Sequence, residues 1–169
     1  DCGSNYGDLY IYLSKYIKAE NFIAFEPGNE EFRSLKYNIK KGRIFNFALS
    51  NKNHISNFYL NSENADSSLI KPENFTKIEK IQNITLDKFF KQSKINKVKL
   101  LKVEAEGAEP EVLLGGKNSL KFIEFISVDG SNERGIKKEE TFSKLSNYLI
   151  SKKFRLVKLN GEAYRGLFK

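Results

Sequence analysis

The sequence predicts an α/β protein with a mainly parallel sheet, helices on both of its faces and an antiparallel hairpin at its end. Short apolar runs alternate along the chain with segments whose apolar residues recur at helical spacing. Several of these runs contain few polar residues, as expected for strands that are covered on both faces. The last two runs are separated by Asn160 and Gly161, a pair typical of a tight hairpin turn.

The composition is that of one globular domain over residues 1–169. A chain of this length can bury its own core, and no repeat or linker divides it. The single cysteine excludes an internal disulfide, and no apolar run is long enough to span a membrane, so a cytoplasmic protein is expected. The net charge of +8 comes from scattered lysines, whereas nucleic acid requires clustered basic residues. The charge therefore disfavours nucleic acid but is compatible with an anionic or a membrane-associated substrate.

The first half of the chain predicts helices that alternate with strands. Apolar residues recur at helical spacing in residues 8–17, and a second helix begins at Asn29 and is ended by Gly42. Four segments have the pattern of strands, the last two of them that of edge strands, and these are residues 22–25, 43–49, 55–60 and 78–85. Residues 61–75 are polar and contain Pro72, which predicts a loop.

The second half of the chain continues the alternation. Residues 98–103 are the best candidate for a buried strand. The predicted helices are residues 86–90, 109–114 and 141–150. The remaining predicted strands are residues 122–128, 154–159 and 163–168. A loop is predicted at residues 129–135, and Pro110 lies in the first turn of its helix, where a missing N–H costs nothing.

The loops that follow the strands are where such a sheet binds its ligand. Gly3 and Gly7 flank Asn5 in the first of these loops, and glycine lets the backbone approach a ligand closely. Glu26 ends the next strand, about 20 residues further on, where a carboxylate can accept hydrogen bonds from both hydroxyls of a ribose. Each feature alone also fits a plain tight turn or a solvated carboxylate. Together they favour a nucleoside cofactor.

A third loop carries several ionisable residues after the strand at residues 98–103. Strand alternation places Lys102, Glu104 and Glu106 on one side of the chain. Three such groups would be costly inside a core, so the wall of a cleft is the better explanation. Glu109 and Glu111 instead fit the first turn of a helix, where the helix dipole favours negative charge.

Seven segments of the chain resemble one known family. They are DCGSNYGD, FIAFEPGNEEFRSLKYNI, FALSNKN, ADSSL, ITLDKFF, LLKVEAEGAEPEVLLGG and FISVDGSNERGIKKEETF. Their order and spacing are similar to those of the FkbM family of S-adenosylmethionine-dependent methyltransferases. The resemblance implies the class I methyltransferase fold, a Rossmann-like sheet of seven strands with the last antiparallel. It also implies transfer of a methyl group to a hydroxyl of a sugar, glycan or related small metabolite.

The resemblance also implies which residues hold the cofactor, S-adenosylmethionine. Glu26 would hold the ribose, and Ala48 would lie near the adenine. Glu104 would lie close to the sulfonium and the substrate. The residues that would line the methionine part of the cofactor are Asp1, Gly3, Asn5 and Gly7.

The chain departs from the family's pattern in two places. Glu104 stands where the family has Asp, and its extra methylene could displace the carboxylate enough to disturb a catalytic geometry. The strand that would lead into Asp1 is absent, so the first strand, and with it the N-terminal part of the domain, is expected to be missing. Cys2 beside this turn is expected to be a small packed residue rather than a nucleophile.

An alcohol acceptor benefits from a general base. Glu104 is the first candidate for this role and Glu106 the second, whereas His54 is expected to be a solvated loop residue. Asp129 could join Glu104 around a Mg²⁺ ion, but no further ligand pattern is present, so no metal is predicted. Loop position also suggests acceptor contacts for Ser67, Ser68 and Arg134.

Three other functions stay open at this point. A nicotinamide oxidoreductase shares the glycine-rich turn and the acidic residue, but the stricter G-x-G-x-x-G pattern is not met. A nucleic-acid N-methyltransferase would carry [DN]-P-P-[YF] where this chain has E-A-E-G. A truncated domain without catalytic activity is the third alternative.

Overall fold

The structure is a computed structural model that describes residues 1–61 and 66–169. Helices and strands alternate along this part of the chain. The helices are α1 (Asp8–Leu13), α2 (Asn29–Asn38), α3 (Leu86–Ser93), α4 (Glu109–Leu114) and α5 (Phe142–Ser151). The strands are β1 (Ile23–Phe25), β2 (Arg43–Phe45), β3 (Ala48–Leu49), β4 (His54–Leu60), β5 (Lys77–Ile84), β6 (Val98–Val103), β7 (Ile123–Asp129), β8 (Asn132–Arg134), β9 (Glu139–Glu140), β10 (Leu156–Asn160) and β11 (Arg165–Phe168).

The larger sheet consists of two parts that meet at Cys2. β1 pairs in parallel with β2, and β6 pairs in parallel with β7. Cys2 forms parallel bridges both to Phe25 of β1 and to Val103 of β6. On the far side, β11 runs antiparallel to β7 and to β10. The predicted α/β class and the closing antiparallel hairpin are therefore confirmed.

Helices cover both faces of this sheet. Ala24 of β1 packs with Leu35 and Ile39 from α2 and its C-terminal end. Its neighbour Phe25 faces the other way and belongs to the main core, which also contains residues of α3, α4 and α5 such as Leu149. Successive strand residues point to opposite faces, so one short apolar run supplies both packing layers.

A second, smaller sheet contains β3, β5 and β4 in that order. The sequence predicts one strand at residues 43–49, and this prediction is wrong because the segment divides into β2 and β3 in different sheets. Asn46 lies at the division, and its side-chain amide donates hydrogen bonds to the carbonyls of Glu26 and Pro27 at 3.0 and 3.1 Å. These bonds attach the chain to the end of β1 while its direction changes.

Two further differences from the sequence prediction concern α1 and a predicted loop. α1 ends at Leu13 instead of residue 17, and two of the residues that recur at helical spacing in this segment, Tyr12 and Tyr16, are exposed. The predicted loop at residues 129–135 contains β8, which pairs with β9. Part of the predicted loop at residues 61–75 lies outside the described residues. No helix in residues 1–61 and 66–169 is long and apolar enough to cross a membrane.

Candidate cofactor site

The first turn of the chain is held between the ends of β1 and β6. The Cys2 amide donates to the Lys102 carbonyl at 2.9 Å, and the Glu104 amide donates to the Cys2 carbonyl at 3.1 Å. The amide of Gly3 donates to the Phe25 carbonyl at 3.2 Å. Gly3 has a φ of +76°, and a Cβ there would lie 1.8 Å from the Glu104 carbonyl oxygen. Only glycine therefore allows the two loops to approach this closely.

Glu26 is fixed at the end of β1 by two backbone hydrogen bonds. Its Oε2 accepts from the Asn5 amide and its Oε1 from the Gly28 amide, both at 2.8 Å. Burial raises the pKa of Glu26 to about 7, although the two amide donors act in the opposite direction. The two amides therefore fix the orientation of the carboxylate. Its remaining acceptor sites line a cavity.

The cavity beside this turn has a volume of about 530 Å³. This size lies within the range of roughly 300–1,000 Å³ that is usual for small-molecule sites. Its apolar part includes Phe47, Leu49 and Phe58. The predicted site residues that line it are Asp1, Gly3, Asn5, Glu26, Ala48, Glu104 and Glu106. The structure thus brings residues from four separate loops and strands to one place.

The lining of the cavity is strongly acidic. Lys102 is the one basic residue among the described residues that line it. The carboxylates that line it are Asp1, Asp8, Glu26, Glu31, Asp66, Glu104 and Glu106. With Glu26 and Glu106 protonated, as their raised pKa values allow, the other five carboxylates and one ammonium still sum to −4, although the chain as a whole carries +8. The cavity therefore attracts cations within an otherwise basic molecule.

Glu104 lies between two cations. Its Oε2 is 2.6 Å from Nζ of Lys102, and its Oε1 is 3.1 Å from Nη2 of Arg165. Nε of Arg165 also contacts Oδ2 of Asp129 at 2.5 Å, and Nζ of Lys102 lies 3.3 Å from Oδ1 of Asp1. The series of ion pairs from Asp1 to Asp129 is called the charged chain below.

Three buried oxygens in the cavity wall, on two side chains, lack hydrogen-bond donors within the described residues. The Asp1 side chain is 1% exposed, and neither of its oxygens accepts a hydrogen bond there. The ion pair of Oδ1 with Lys102 does not have hydrogen-bond geometry. Oδ1 of Asn5 is also buried without a donor. Buried polar atoms of this kind normally have partners, so these two side chains are suited to a ligand with N–H groups.

The family model of the methyltransferase FkbM domain matches residues 1–156. The chain belongs to the FkbM methyltransferase family. Among solved structures, the methyltransferase FkbM from Methylobacillus flagellatus KT is similar in fold, with a TM-score of 0.66 and 14% sequence identity. The similarity covers 99% of this chain and 42% of that chain, so this chain spans less than half the length of its structural relative. None of the curated proteins compared with the chain matches it significantly.

Within this FkbM-family domain, Glu106 has different surroundings from Glu104. It has a φ of +50°, and its carbonyl accepts a hydrogen bond of 2.6 Å from Oγ of Ser68. Burial, followed by the negative charges of Glu133 and Asp66, raises the pKa of Glu106 to about 9. None of the described residues donates a hydrogen bond to its carboxylate. Glu106 is therefore a carboxyl group in the cavity wall whose ionised form receives no hydrogen bond from the described residues.

Several of the other candidate residues lie away from the cavity. Gly7 faces α2, where an added Cβ would meet the Leu35 side chain at 3.0 Å. Arg134 binds both oxygens of Glu111, at 2.8 and 2.7 Å, and so holds β8 against α4. His54 is exposed at the start of β4. Of the serines expected near the acceptor, Ser67 lines the cavity, whereas Ser68 is buried beside it.

A metal site and a reactive thiol receive no support from the geometry. No group of three or more His, Cys, Asp or Glu side chains in the described part of the chain could hold a metal ion. Asp129, the sequence candidate for a metal ligand, is bound to Arg165. Burial raises the pKa of the Cys2 thiol to about 12, so it is neutral at physiological pH. Cys2 is a packed residue between two strands.

Sequence reasoning missed Arg165, which lies beyond the residues that the family model matches. It is opposite Asp129 in the antiparallel pairing of β11 with β7. Only the register of this pairing brings Arg165 to the Glu104 carboxylate. A hairpin prediction identifies the strand but does not fix that register.

Proposed function

We propose that this domain transfers the methyl group of S-adenosylmethionine to a hydroxyl oxygen of a sugar, a glycan or a related small metabolite. The observation that carries the proposal is an acidic cavity in which a fixed carboxylate, that of Glu26, directly follows β1. When bound, S-adenosylmethionine supplies a methyl group on a positively charged sulfur. The carboxylates that line the cavity outnumber its one ammonium and favour such a cation.

The residues of the cavity fit the cofactor in two further respects. Glu26 keeps acceptor sites free for the two hydroxyls of a ribose, because each of its oxygens accepts only one backbone hydrogen bond. Asp1 and Asn5 have buried oxygens without donors in the described structure, and they would accept hydrogen bonds from the ammonium of the methionine part. Ala48 and its apolar neighbours line the same cavity and would contact the adenine.

The strand order supports the class I methyltransferase arrangement. Across the larger sheet the order is β2, β1, Cys2, β6, β7, β11, β10. Six strands and Cys2 thus occupy seven positions, and β11 is antiparallel to its neighbours. The loops that follow β1 and β6 lie on either side of Cys2. From Cys2 the strand numbers rise outward to β2 on one side and to β11 on the other, so this position is a switch point in the strand order. Such a switch point is where open α/β sheets bind ligands.

We assign the proton-accepting role to Glu106 and an electrostatic role to Glu104. Both oxygens of Glu104 contact cations, from Lys102 and from Arg165, so a proton there would have to displace an ion pair. Glu106 has no such partner within the described residues, and its raised pKa makes it a stronger base once it is ionised. Once ionised, Glu106 would accept the proton of the acceptor hydroxyl while the oxygen takes the methyl group, and the S–CH₃ bond would break to leave a neutral thioether.

A dinucleotide or nucleic-acid ligand is less compatible with this cavity. Both carry phosphates, and phosphates are bound by basic side chains or by free backbone amides. Here the backbone amides of Asn5 and Gly28 already donate to Glu26, and Lys102 is paired with Glu104. A pyrophosphate would therefore face negative charge with few available donors.

Calorimetric titration with S-adenosylmethionine and, separately, with NAD tests the proposal. We expect the first to bind and the second not to bind. Glu26→Gln keeps one acceptor oxygen and should weaken binding by roughly tenfold, and Glu26→Ala should weaken it further. Glu162→Gln, an exposed glutamate outside the cavity, is the matched control and should bind as the unaltered chain does. Binding of NAD alone would refute methyl transfer, and absence of both would favour the non-catalytic domain.

A further inference from the structure

We propose that the outward faces of α1 and α2 bind the surface of a lipid bilayer that contains anionic phospholipids. The binding surface consists of the exposed side chains of residues 11–16 and 33–43 and is called the α1–α2 face below. Its lysines and arginines contact the lipid phosphates, and its tyrosines and one isoleucine enter the headgroup region. The inference goes beyond the proposed function and does not rest on it, because none of these side chains lines the cofactor cavity.

The part of this face on α2 carries unpaired positive charge. The segment 33–43 contains no acidic residue, and its five basic residues, all of them exposed, are Arg33, Lys36, Lys40, Lys41 and Arg43. None of the five forms an ion pair with another residue in 1–61 and 66–169. The first three recur at a spacing of i, i+3 and i+7, so they lie along one side of α2 and of the turn after it. The two acidic residues before this segment have other neighbours, since Glu31 lines the cavity and the charge of Glu30 acts on Lys77.

Tyr37 lies within this basic segment and is 76% exposed. Nζ of Lys40 is 5.8 Å from the centre of its ring. Beside Tyr37 there is a shallow cavity of about 500 Å³, which is lined by Tyr6, Arg33, Ser34, Tyr37 and Asn38. The Tyr6 carbonyl accepts a hydrogen bond of 2.8 Å from Nδ2 of Asn38, which holds the turn before α1 against α2. The cavity therefore offers a phosphodiester headgroup a guanidinium, a hydroxyl and an amide together with two aromatic rings.

α1 adds exposed apolar and aromatic side chains next to this basic segment. Ile11, Tyr12 and Tyr16 are all exposed, although residues of their size are usually buried in part. Nζ of Lys15 lies 5.2 Å from the centre of the Tyr12 ring and 5.0 Å from that of Tyr16. The inward side of α1 packs in the same small core as Leu35 of α2. The two helices therefore lie side by side on one face of the larger sheet, and their exposed sides form one surface.

This combination of side chains complements an anionic bilayer. Clustered lysines and arginines are attracted to anionic headgroups, and their effects add. Tyrosine has an apolar ring and a polar hydroxyl, so it is stable at the level of the headgroups. An exposed isoleucine gains from contact with the boundary of the acyl chains. Nucleic acid would engage the basic residues and the aromatic rings but would leave Ile11 in water, so the bilayer is the better match.

Sedimentation of the full chain with lipid vesicles tests the inference. One set of vesicles contains phosphatidylcholine alone, and the other contains equal parts of phosphatidylcholine and phosphatidylglycerol. At about 0.1 M NaCl we expect at least about tenfold tighter binding to the anionic vesicles. Raising NaCl to about 0.5 M should weaken this binding several-fold, because salt screens the attraction between the basic residues and the headgroups.

A variant without three of the positive charges connects the binding to the α1–α2 face. It combines Arg33→Gln, Lys36→Gln and Lys40→Gln, and all three positions are exposed, so folding is not at risk. We expect its affinity for anionic vesicles to fall at least about tenfold. Ile11→Ser leaves the charge unchanged and should weaken vesicle binding several-fold through the loss of apolar contact.

A control variant removes the same charge from the opposite face of the sheet. It combines Lys88→Gln and Lys91→Gln on α3 with Lys144→Gln on α5, three exposed positions on helices that pack in the main core. Because neither the net charge nor the number of substitutions differs between the two triple variants, only the location of the lost charge is tested. The control should change the affinity for anionic vesicles by less than about twofold.

Several results would overturn the inference. They are no vesicle binding, equal binding to the two vesicle compositions, equal effects of the two triple variants, and unchanged vesicle binding by Ile11→Ser. Poly(U) RNA is titrated in parallel by fluorescence anisotropy, and binding of RNA in place of anionic vesicles would assign the face to nucleic acid and overturn the inference as well. These results are separate from calorimetry with S-adenosylmethionine, which tests the proposed function.

Discussion

Glu104 and Glu106 are two residues apart on one loop, yet the charges of their neighbouring groups are opposite in sign. Glu104 contacts the cations of Lys102 and Arg165. Glu106 has a left-handed backbone conformation, and the negative charges of Glu133 and Asp66 act on its carboxyl group. A buried carboxyl group among like charges, such as Glu106, keeps its proton, whereas both oxygens of Glu104 are engaged by cations. The two residues are thus suited to different tasks, although strand alternation places them on the same side.

The ionisation of Glu106 should be visible in the pH dependence of stability. Burial and neighbouring carboxylates raise its pKa from 4.5 to about 9 in the folded chain. The folded state then binds more protons than the unfolded state between these values, so this residue makes the free energy of unfolding fall as pH rises from about 5 to about 9. Glu106→Gln cannot ionise, so its advantage over the unaltered chain should grow across this interval.

Thermal melting at several pH values, with and without Glu106→Gln, measures this difference. Glu26, whose pKa is also raised, contributes equally to both chains and cancels in the comparison. If Glu106 is also the base, kcat/KM should rise with pH over the same range and lose this dependence in the variant. A constant difference in melting temperature at every pH would contradict the assignment.

The single-residue predictions that agree best with the structure depend on local chain geometry. Gly3 and Glu26 are recognised because a turn and a strand end leave clear signals in neighbouring residues. The acidic character of the whole lining was not predicted, since Asp8, Glu31 and Asp66 come from separate segments. Their common location depends on the packing of elements, which spacing along the chain does not show.

At the scale of elements, the C-terminal hairpin is attached to the candidate site through Arg165. This residue begins β11 and contacts Asp129 at the end of β7 and Glu104 beyond β6. Asp129 is 6% exposed, and its other oxygen accepts a hydrogen bond from the Ser131 amide at 3.2 Å. The charged chain therefore joins the ends of three neighbouring strands, β6, β7 and β11.

Removal of Arg165 should destabilise the domain more than removal of another arginine of the hairpin region. Arg165→Ala leaves the buried Asp129 carboxylate without its cation, and we expect a loss of about 1–2 kcal/mol in the free energy of unfolding. The value is moderate because Arg165 itself is more than half exposed. Arg155→Ala, an exposed position just before β10, should cost less than about 0.5 kcal/mol.

Urea unfolding of both variants and of Arg165→Lys measures these effects. The lysine retains the charge but cannot reach two carboxylates with separate nitrogens, so it should recover part of the loss. Equal stability of the Arg165→Ala and Arg155→Ala variants would show that the charged chain does not support the hairpin. A double-mutant cycle with Asp129→Asn then isolates the coupling between the two residues.

The elements that the sequence predicts well are those with a strong pattern of their own. The segment 98–103 forms β6 with the predicted bounds, but it is not the fully buried strand expected, since only Leu101 and Val103 are buried and Leu100 is exposed. The segment 43–49 has an equally apolar pattern, yet it divides at Asn46, because that side chain bonds to carbonyls beyond β1. A hydrogen bond between segments 20 residues apart leaves no trace in hydrophobic periodicity. β8 is also missed, because its three residues are all polar.

At the scale of the whole molecule, charge is separated between the outer surface and the cavity. The chain has a net charge of +8, whereas the cavity lining sums to −4 when Glu26 and Glu106 keep their protons. Nearly all of the lysines are exposed, and the one that lines the cavity is paired with Glu104. An anion drawn to the outer surface therefore meets the opposite field inside, and a cation is favoured only within the cavity.

Salt should distinguish this cavity field from contacts that do not depend on charge. S-adenosylmethionine carries a sulfonium that S-adenosylhomocysteine lacks, and the two are otherwise closely matched. Raising NaCl from about 0.01 M to about 0.5 M shortens the screening length from about 30 Å to less than about 8 Å. The affinity for S-adenosylmethionine should then fall by several-fold more than the affinity for S-adenosylhomocysteine, because only the former has the extra cation. Parallel calorimetric titrations at both salt concentrations measure the two slopes. Identical slopes would mean that the seven carboxylates do not act on the sulfur, and that shape and hydrogen bonds alone select the cofactor.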